Sequence, residues 1–162
     1  MDENSFPSRW DRRRRTLHII DIENLVGHDH ALGDRFAFEH ALASYAAASQ
    51  MKAGDQVMVG CHPGLAFIAQ NTLGSRGQIF TGQGTDGADE ALLAAADVAF
   101  IARRYHLVSI GSGDHIFVEL AGELLARGVQ VMVVARPERL SGQLRDTVAR
   151  VEFLDDQISG AA

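Results

Sequence analysis

Cysteine is almost missing from this chain. Its 162 residues include one, Cys61, so no intrachain disulfide forms, and a reducing, cytoplasmic setting fits. A lone cysteine also excludes the paired His/Cys spacing of a zinc site. No apolar run approaches the ~20 residues of a membrane span, so no membrane partner is expected. The N-terminal arginines are followed by no apolar stretch, so no secretory signal is expected. Internal repeats are absent, and the one biased segment is an arginine run. Ser112 stands in Gly-Ser-Gly, but Gly-x-Ser-x-Gly is not met and no triad order emerges, which argues against a serine hydrolase. A strongly basic balance is lacking too. The formal net charge is −6, where nucleic-acid binders usually carry a basic stripe.

The positive charge that exists is uneven. Residues 1–15 (MDENSFPSRWDRRRR) lack periodicity and read as a flexible Arg-rich tail. Within it Arg12, Arg13, Arg14 and Arg15 are candidate phosphate contacts. Arg103 and Arg104 are further candidates, although cations at a helix end also suit its dipole. Arg35 and Arg76 are weaker ones.

From Thr16 onward short β-rich runs alternate with helical patterns. Strands are predicted at 16–21, 56–60, 78–81, 106–111 and 129–135, with 150–154 a final strand or edge segment. Helices are predicted at 36–49, 62–73, 86–105, 115–127 and 138–149. This alternation implies an α/β fold, a three-layer sandwich around a mostly parallel sheet of about five strands. One domain is expected over residues 16–156, with a short tail at 157–162. The Ala-rich helix at 36–49 offers a face for a homodimer, or for packing within one chain.

Acids mark three strand-to-helix junctions. Asp21, Glu23 and Asn24 end HIIDIEN; Asp86, Asp89 and Glu90 open GTDGADEALL; Asp114 follows the fourth strand in GSGDHIF. In an open parallel sheet ligands bind beyond the carboxyl ends of the strands, so these carboxylates are expected to meet in one crevice. Gathered carboxylates need protons or cations to neutralise them, and acidic oxygen sites suit Mg²⁺ or Mn²⁺. Each acid also has a plainer role as an Asx-turn, an N-cap or a helix-dipole partner. Asn24 would orient a water or meet a phosphate oxygen. His28, His30 and His115 fall near the expected crevice; His62 and His106 are scattered. GQGTDG at 82–87 matches a dinucleotide fingerprint, but Asp86, Asp89 and Glu90 in the first helical turn would repel a pyrophosphate.

These motifs in this order resemble the NYN family of PIN-like nucleases. The likeness covers about residues 16–154. It rests on Asp21-x-x-Asn24, on GTDGADEALL, on Ser112-Gly113-Asp114-x-x-Phe117, on the GVQVMVV run and on LSGQLRDTVARVEFL. It implies a Rossmann-like PIN fold and a Mg²⁺- or Mn²⁺-dependent ribonuclease acting on single-stranded or structured noncoding RNA. Asp21, Asp89 and Asp114 would be the metal-binding and catalytic acids, Asp86 a fourth metal ligand and Asn24 a catalytic support; Glu90 and Asp97 are weaker. In-line attack would leave a 5′-phosphate and a 3′-hydroxyl. Many members carry a second acid two residues after the third-motif Asp. Here Ile116 stands there, which admits a catalytically degenerate domain that binds RNA or a protein partner. A receiver-like phosphoacceptor domain is a third reading, opposed by Ala135-Arg136 where a Lys is expected.

Overall fold

The computed structural model describes residues 15–27 and 34–155. The expected N-terminal tail apart from Arg15, the C-terminal tail, and with them Arg12, Arg13, Arg14, His28 and His30, lie outside the described residues. Strands β1 (Thr16–Asp21), β2 (Gln56–Cys61), β3 (Gly77–Thr81), β4 (Leu107–Gly111), β5 (Gln130–Ala135) and β6 (Arg150–Phe153) form one sheet in the order β3-β2-β1-β4-β5-β6. Every pairing is parallel, so the segment at 150–154 is a true sixth strand. Among the described residues no helix is long and apolar enough to cross a membrane.

Helices cover both faces, as a parallel sheet requires. One layer holds α1 (Ile22–Val26), α2 (Arg35–Ser49) and α3 (Ala66–Leu73). The other holds α4 (Gly87–Ala95), α5 (Val98–Arg104), α6 (Val118–Ala126) and α7 (Gly142–Thr147). Two cores result. Ile20, Val59 and Val134 pack with Phe38 and Tyr45 on the first side. Leu17, Ile19 and Ile110 pack with Leu92, Phe117 and Leu124 on the second. The period-2 alternation of β1 therefore sends Asp21 to the same face as Leu17 and Ile19, under α4.

Four helices depart from their expected spans, and the one expected at 138–149 shortens to α7 after a 3₁₀ turn at Pro137–Arg139. The helix expected at 86–105 breaks at Ala96–Asp97, because the Asp97 carboxylate caps α5 by accepting from the Phe100 amide at 2.9 Å. Those at 62–73 and 115–127 open with single 3₁₀ turns, at Pro63–Leu65 and His115–Phe117, capped by His62 and Asp114.

Polar groups also enter the first core. His18, fully buried on β1, has Nε2 3.1 Å from Asp55 Oδ2 and Nδ1 2.9 Å from the Tyr45 hydroxyl. That hydroxyl lies 2.7 Å from Ser109 Oγ. The chain of bonds ties β1, α2, β4 and the turn before β2. Burial lowers the His18 pKa against the opposing pull of Asp55, so the ring is held neutral.

Candidate functional site at the carboxyl ends of β1 and β4

The chain leaves β1 for β2 and β3 on one side, then returns to β4 and continues to β5 and β6 on the other. This reversal opens a crevice beyond the carboxyl ends of β1 and β4, the usual ligand position in doubly wound sheets. Asp21 is the last residue of β1; Ser112, Gly113 and Asp114 follow β4.

One network joins them. Asn24 donates its backbone N–H to Asp21 Oδ1 at 3.2 Å, and the Ser112 hydroxyl donates to Asp21 Oδ2 at 3.1 Å. Asn24 Oδ1 accepts from the Gly113 amide at 2.9 Å, and Ser112 Oγ accepts from the Asp114 amide at 3.1 Å. Asn24 thus acts as the strut between the first and third motifs. Gly113 is required here: a Cβ would lie 2.4 Å from the Arg139 carbonyl oxygen, and the Gly113 carbonyl accepts from the Ser141 amide at 2.8 Å.

Asp89 reaches Asp21 from α4. That approach depends on Gly60, paired with Asp21 in register. A Cβ at Gly60 would lie 2.6 Å from Leu92 Cδ1 and 2.9 Å from the Ala88 carbonyl oxygen. The bare backbone lets α4 settle onto β2 and bring its first turn over the end of β1. Asp21 and Asp89 are then only 3% and 8% exposed, and their carboxyls are hydrogen-bonded to each other. Two such groups cannot both ionise in so little water. Burial, followed by the charge of Asp21, pushes the Asp89 carboxyl up to about 8. Burial raises Asp21 too, against the opposing hydrogen bonds from Asp89, Asn24 and Ser112. The pair therefore holds a proton between its two carboxyls. Glu23, partly buried nearby, is raised by burial and by Asp21.

The other expected ligands are placed differently. Asp114 lies close enough for its charge to act on both acids. Its Oδ1, however, accepts from the Ile116 amide at 3.0 Å and sits 2.9 Å from His115 Nδ1. Asp86 occupies the N-cap position of α4, exposed, with no capping hydrogen bond. Glu90 is exposed. Among the described residues no three His, Cys, Asp or Glu side chains converge closely enough to enclose an ion. The expected four-acid cluster is thus a buried pair with Asp114 at its margin.

Of the expected RNA-contacting arginines, the described ones, Arg15, Arg103 and Arg104, do not join this crevice. Arg103 and Arg104 end α5 just before β4 begins, and Arg15 precedes β1, its carbonyl accepting from the His106 amide at 3.1 Å. All three stand at the amino ends of the strands, about 16 Å from Asp21 along β1. A crossover helix returns the chain to the start of the next strand, so its C-terminal residues necessarily lie there. The crevice rim instead carries Arg136, which follows β5 and donates from Nε to the Leu25 carbonyl at 2.7 Å. It also carries Arg139, whose Nη2 is buried without a hydrogen-bond partner. Sequence reasoning missed both. Their only signal was position one and four residues past a predicted strand.

GQGTDG follows β3, the edge strand, away from the switch point. Gly82 and Gly87 pack backbone to backbone, so the glycines serve a tight turn.

No protein-family model matches the chain, and no curated protein matches it. A solved structure, a protein of unknown function from Vibrio parahaemolyticus, is similar with a TM-score of 0.58 at 17% identity, over 88% of this chain and 94% of that one. At that identity the likeness shows the fold alone. Fold and site define an open, doubly wound α/β domain with an acidic pair at its switch point.

Proposed function

We propose that this domain is a divalent-cation-dependent phosphodiesterase acting on RNA in the cytoplasm, as the NYN-like motifs imply. The observation that carries the reading is the buried Asp21–Asp89 pair, held in contact at the switch point with one proton between them. Such a pair is two anionic oxygen donors short of one cation, and Mg²⁺ and Mn²⁺ accept carboxylate oxygens while keeping waters of their own. Asp21 and Asp89 would hold the ion, with Asp114 at the open side. When bound, the cation supplies positive charge to a phosphate and lowers the pKa of its water. Ser112 and the Asn24 amide keep Asp21 oriented toward Asp89. Asn24 fixes the Gly113 turn, and so the position of Asp114.

A second reading has its own support. Ile116 stands where the resembling family often has another acid, and Asp114 spends Oδ1 on capping. A domain that binds RNA or a protein without cleaving it fits these two facts.

The test is Mn²⁺ titration of the wild type, Asp21→Asn and Asp89→Asn, read by thermal shift and by cleavage of labelled single-stranded RNA. Metal-dependent cleavage lost in both variants is the expected result. Stabilisation by metal without cleavage favours the second reading. No response to metal in either readout refutes the cation site.

A further inference from the structure

Two phenylalanines break the apolar pattern of their helices. Phe36 and Phe67 are 80% and 77% exposed, while no other large apolar side chain among the described residues passes 49%. Each is the second residue of its helix, α2 or α3, and stands two positions before the first buried one, Phe38 or Ala69. At 3.6 residues per turn, two positions lead to the far side of the helix, so neither ring joins the core beneath it. Both helices start where the chain has left the carboxyl end of a strand, α2 after β1 and α3 after β2. Between them lies α1, which carries Glu23 and Asn24 and packs against both α2 and β2. The two rings therefore stand at the end of the sheet that holds the acidic pair, in the layer of α1. Their mounts are firm. The Phe36 amide donates to Asp34 Oδ1 at 2.9 Å, and the turn before α3 is capped by His62, whose Nδ1 accepts from the Gly64 amide at 3.1 Å. Their helix neighbours three and four residues on are polar, Glu39 and His40 for Phe36, Gln70 and Asn71 for Phe67. A protein partner wants a continuous apolar centre. A single ring set among polar groups instead suits a planar ligand about one ring wide.

We propose that Phe36 and Phe67 each stack an unpaired base of an RNA strand whose backbone enters the acidic crevice. The inference rests on the RNA function proposed above and adds the substrate class, a single strand. A base inside a duplex has no free face to offer, so duplex RNA is excluded. Stacking on a ring is tolerant of sequence, because every base has a π-face, so no strong base preference follows. It also needs no positive charge, which suits a chain of net charge −6.

The experiment uses the full chain, in EDTA and again in Ca²⁺, so that binding is read apart from Mn²⁺-dependent cleavage. The probes are a labelled single-stranded RNA of mixed sequence and the same strand annealed to its complement, followed by fluorescence anisotropy. The wild type should bind the single strand and discriminate against the duplex. Phe36→Ala and Phe67→Ala should each weaken single-strand binding about tenfold, with an unchanged Tm, since the rings are exposed. Phe→Trp at either position should keep the affinity, and Phe→Leu, apolar without a π-face, should lose it as Ala does. A wild type that binds the single strand, with Ala or Leu variants that bind it equally well, overturns the stacking proposal and leaves the RNA function standing. A wild type that binds neither probe overturns both. Concentration-dependent dimerisation, seen by sedimentation and lost in the Ala variants, assigns the rings to a second copy of the chain and overturns the proposal as well.

Discussion

The Asp21–Asp89 pair should cost the cation-free protein stability, and Asp89→Asn should restore it. The carboxyl of Asp89 is raised from an ordinary 3.8 to about 8. Between those values the folded state keeps a proton that the unfolded state has lost, so stability falls as pH rises from about 3.8 to about 8. At about pH 7 the interval is about three pH units, worth about 4 kcal/mol at 1.36 kcal/mol per unit. A neutral amide of the same shape escapes this loss. Imperfect replacement of the acid's hydrogen bond to Asp21 reduces the gain to about 2–4 kcal/mol. For a domain of this size that raises the Tm by roughly 5–15 °C. The assay is thermal unfolding in EDTA over a pH series, repeated with Mn²⁺. In EDTA the variant should be more stable, with a flatter pH dependence above about 4. Adding Mn²⁺ should stabilise the wild type and not the variant. A variant less stable than the wild type in EDTA near pH 8, or one with an unchanged pH slope, refutes the shared-proton account.

Gly60→Ala should lift α4 from β2, costing about 1–3 kcal/mol in urea unfolding and weakening any Mn²⁺ stabilisation. Tyr45→Phe removes the hydroxyl between His18 and Ser109 and leaves both buried groups short of a partner; chemical denaturation should register a loss of about 1–3 kcal/mol. His18 is neutral in the fold with its pKa lowered by burial. The unfolded chain therefore takes up a proton first, and this contribution to stability is full above pH 6.5 and lost as pH falls through the folded value; an imidazole NMR titration should show His18 protonating below the exposed histidines. If RNA bridges the two ends of the sheet, Arg104→Glu should raise KM for RNA with little change in kcat, because a contact about 16 Å from the acids along β1 binds ground and transition states alike.

Much of this was legible in the sequence. The β/α alternation gave the layers and the parallel sheet, because continuous apolar runs such as TLHII and VMVVA suit strands buried on both faces. The meeting of Asp21 with the GTDGADE helix and the Ser-Gly-Asp turn followed from their places at strand ends. Pattern could not reveal which acid would face which. Asp89 rather than Asp86 enters the pair because Gly60 lets α4 sit deep enough to bury its third residue. Asp97 looked like part of a long helix until its capping bond ended one helix and began the next. The value of the arginines as phosphate contacts was judged from charge alone, whereas the crossover geometry fixes which end of the sheet Arg103 and Arg104 occupy. The His18–Tyr45–Ser109 network left no trace, since it joins residues 27 and 64 positions apart.

The local economy of the crevice argues for function over scaffolding. Asp21 receives a backbone N–H and a serine hydroxyl, ordinary support for a buried carboxylate. Among the described residues, the hydrogen-bond partner given to Asp89's carboxyl is Asp21, itself an acid. An asparagine there would keep that bond without needing a proton, and a leucine would extend the surrounding core. Departures from local consistency of this kind tend to mark functional positions. What the second acid provides, and neither substitute can, is a further anionic oxygen beside the first. That property matters only when a cation, or the proton standing in for it, is part of the working state.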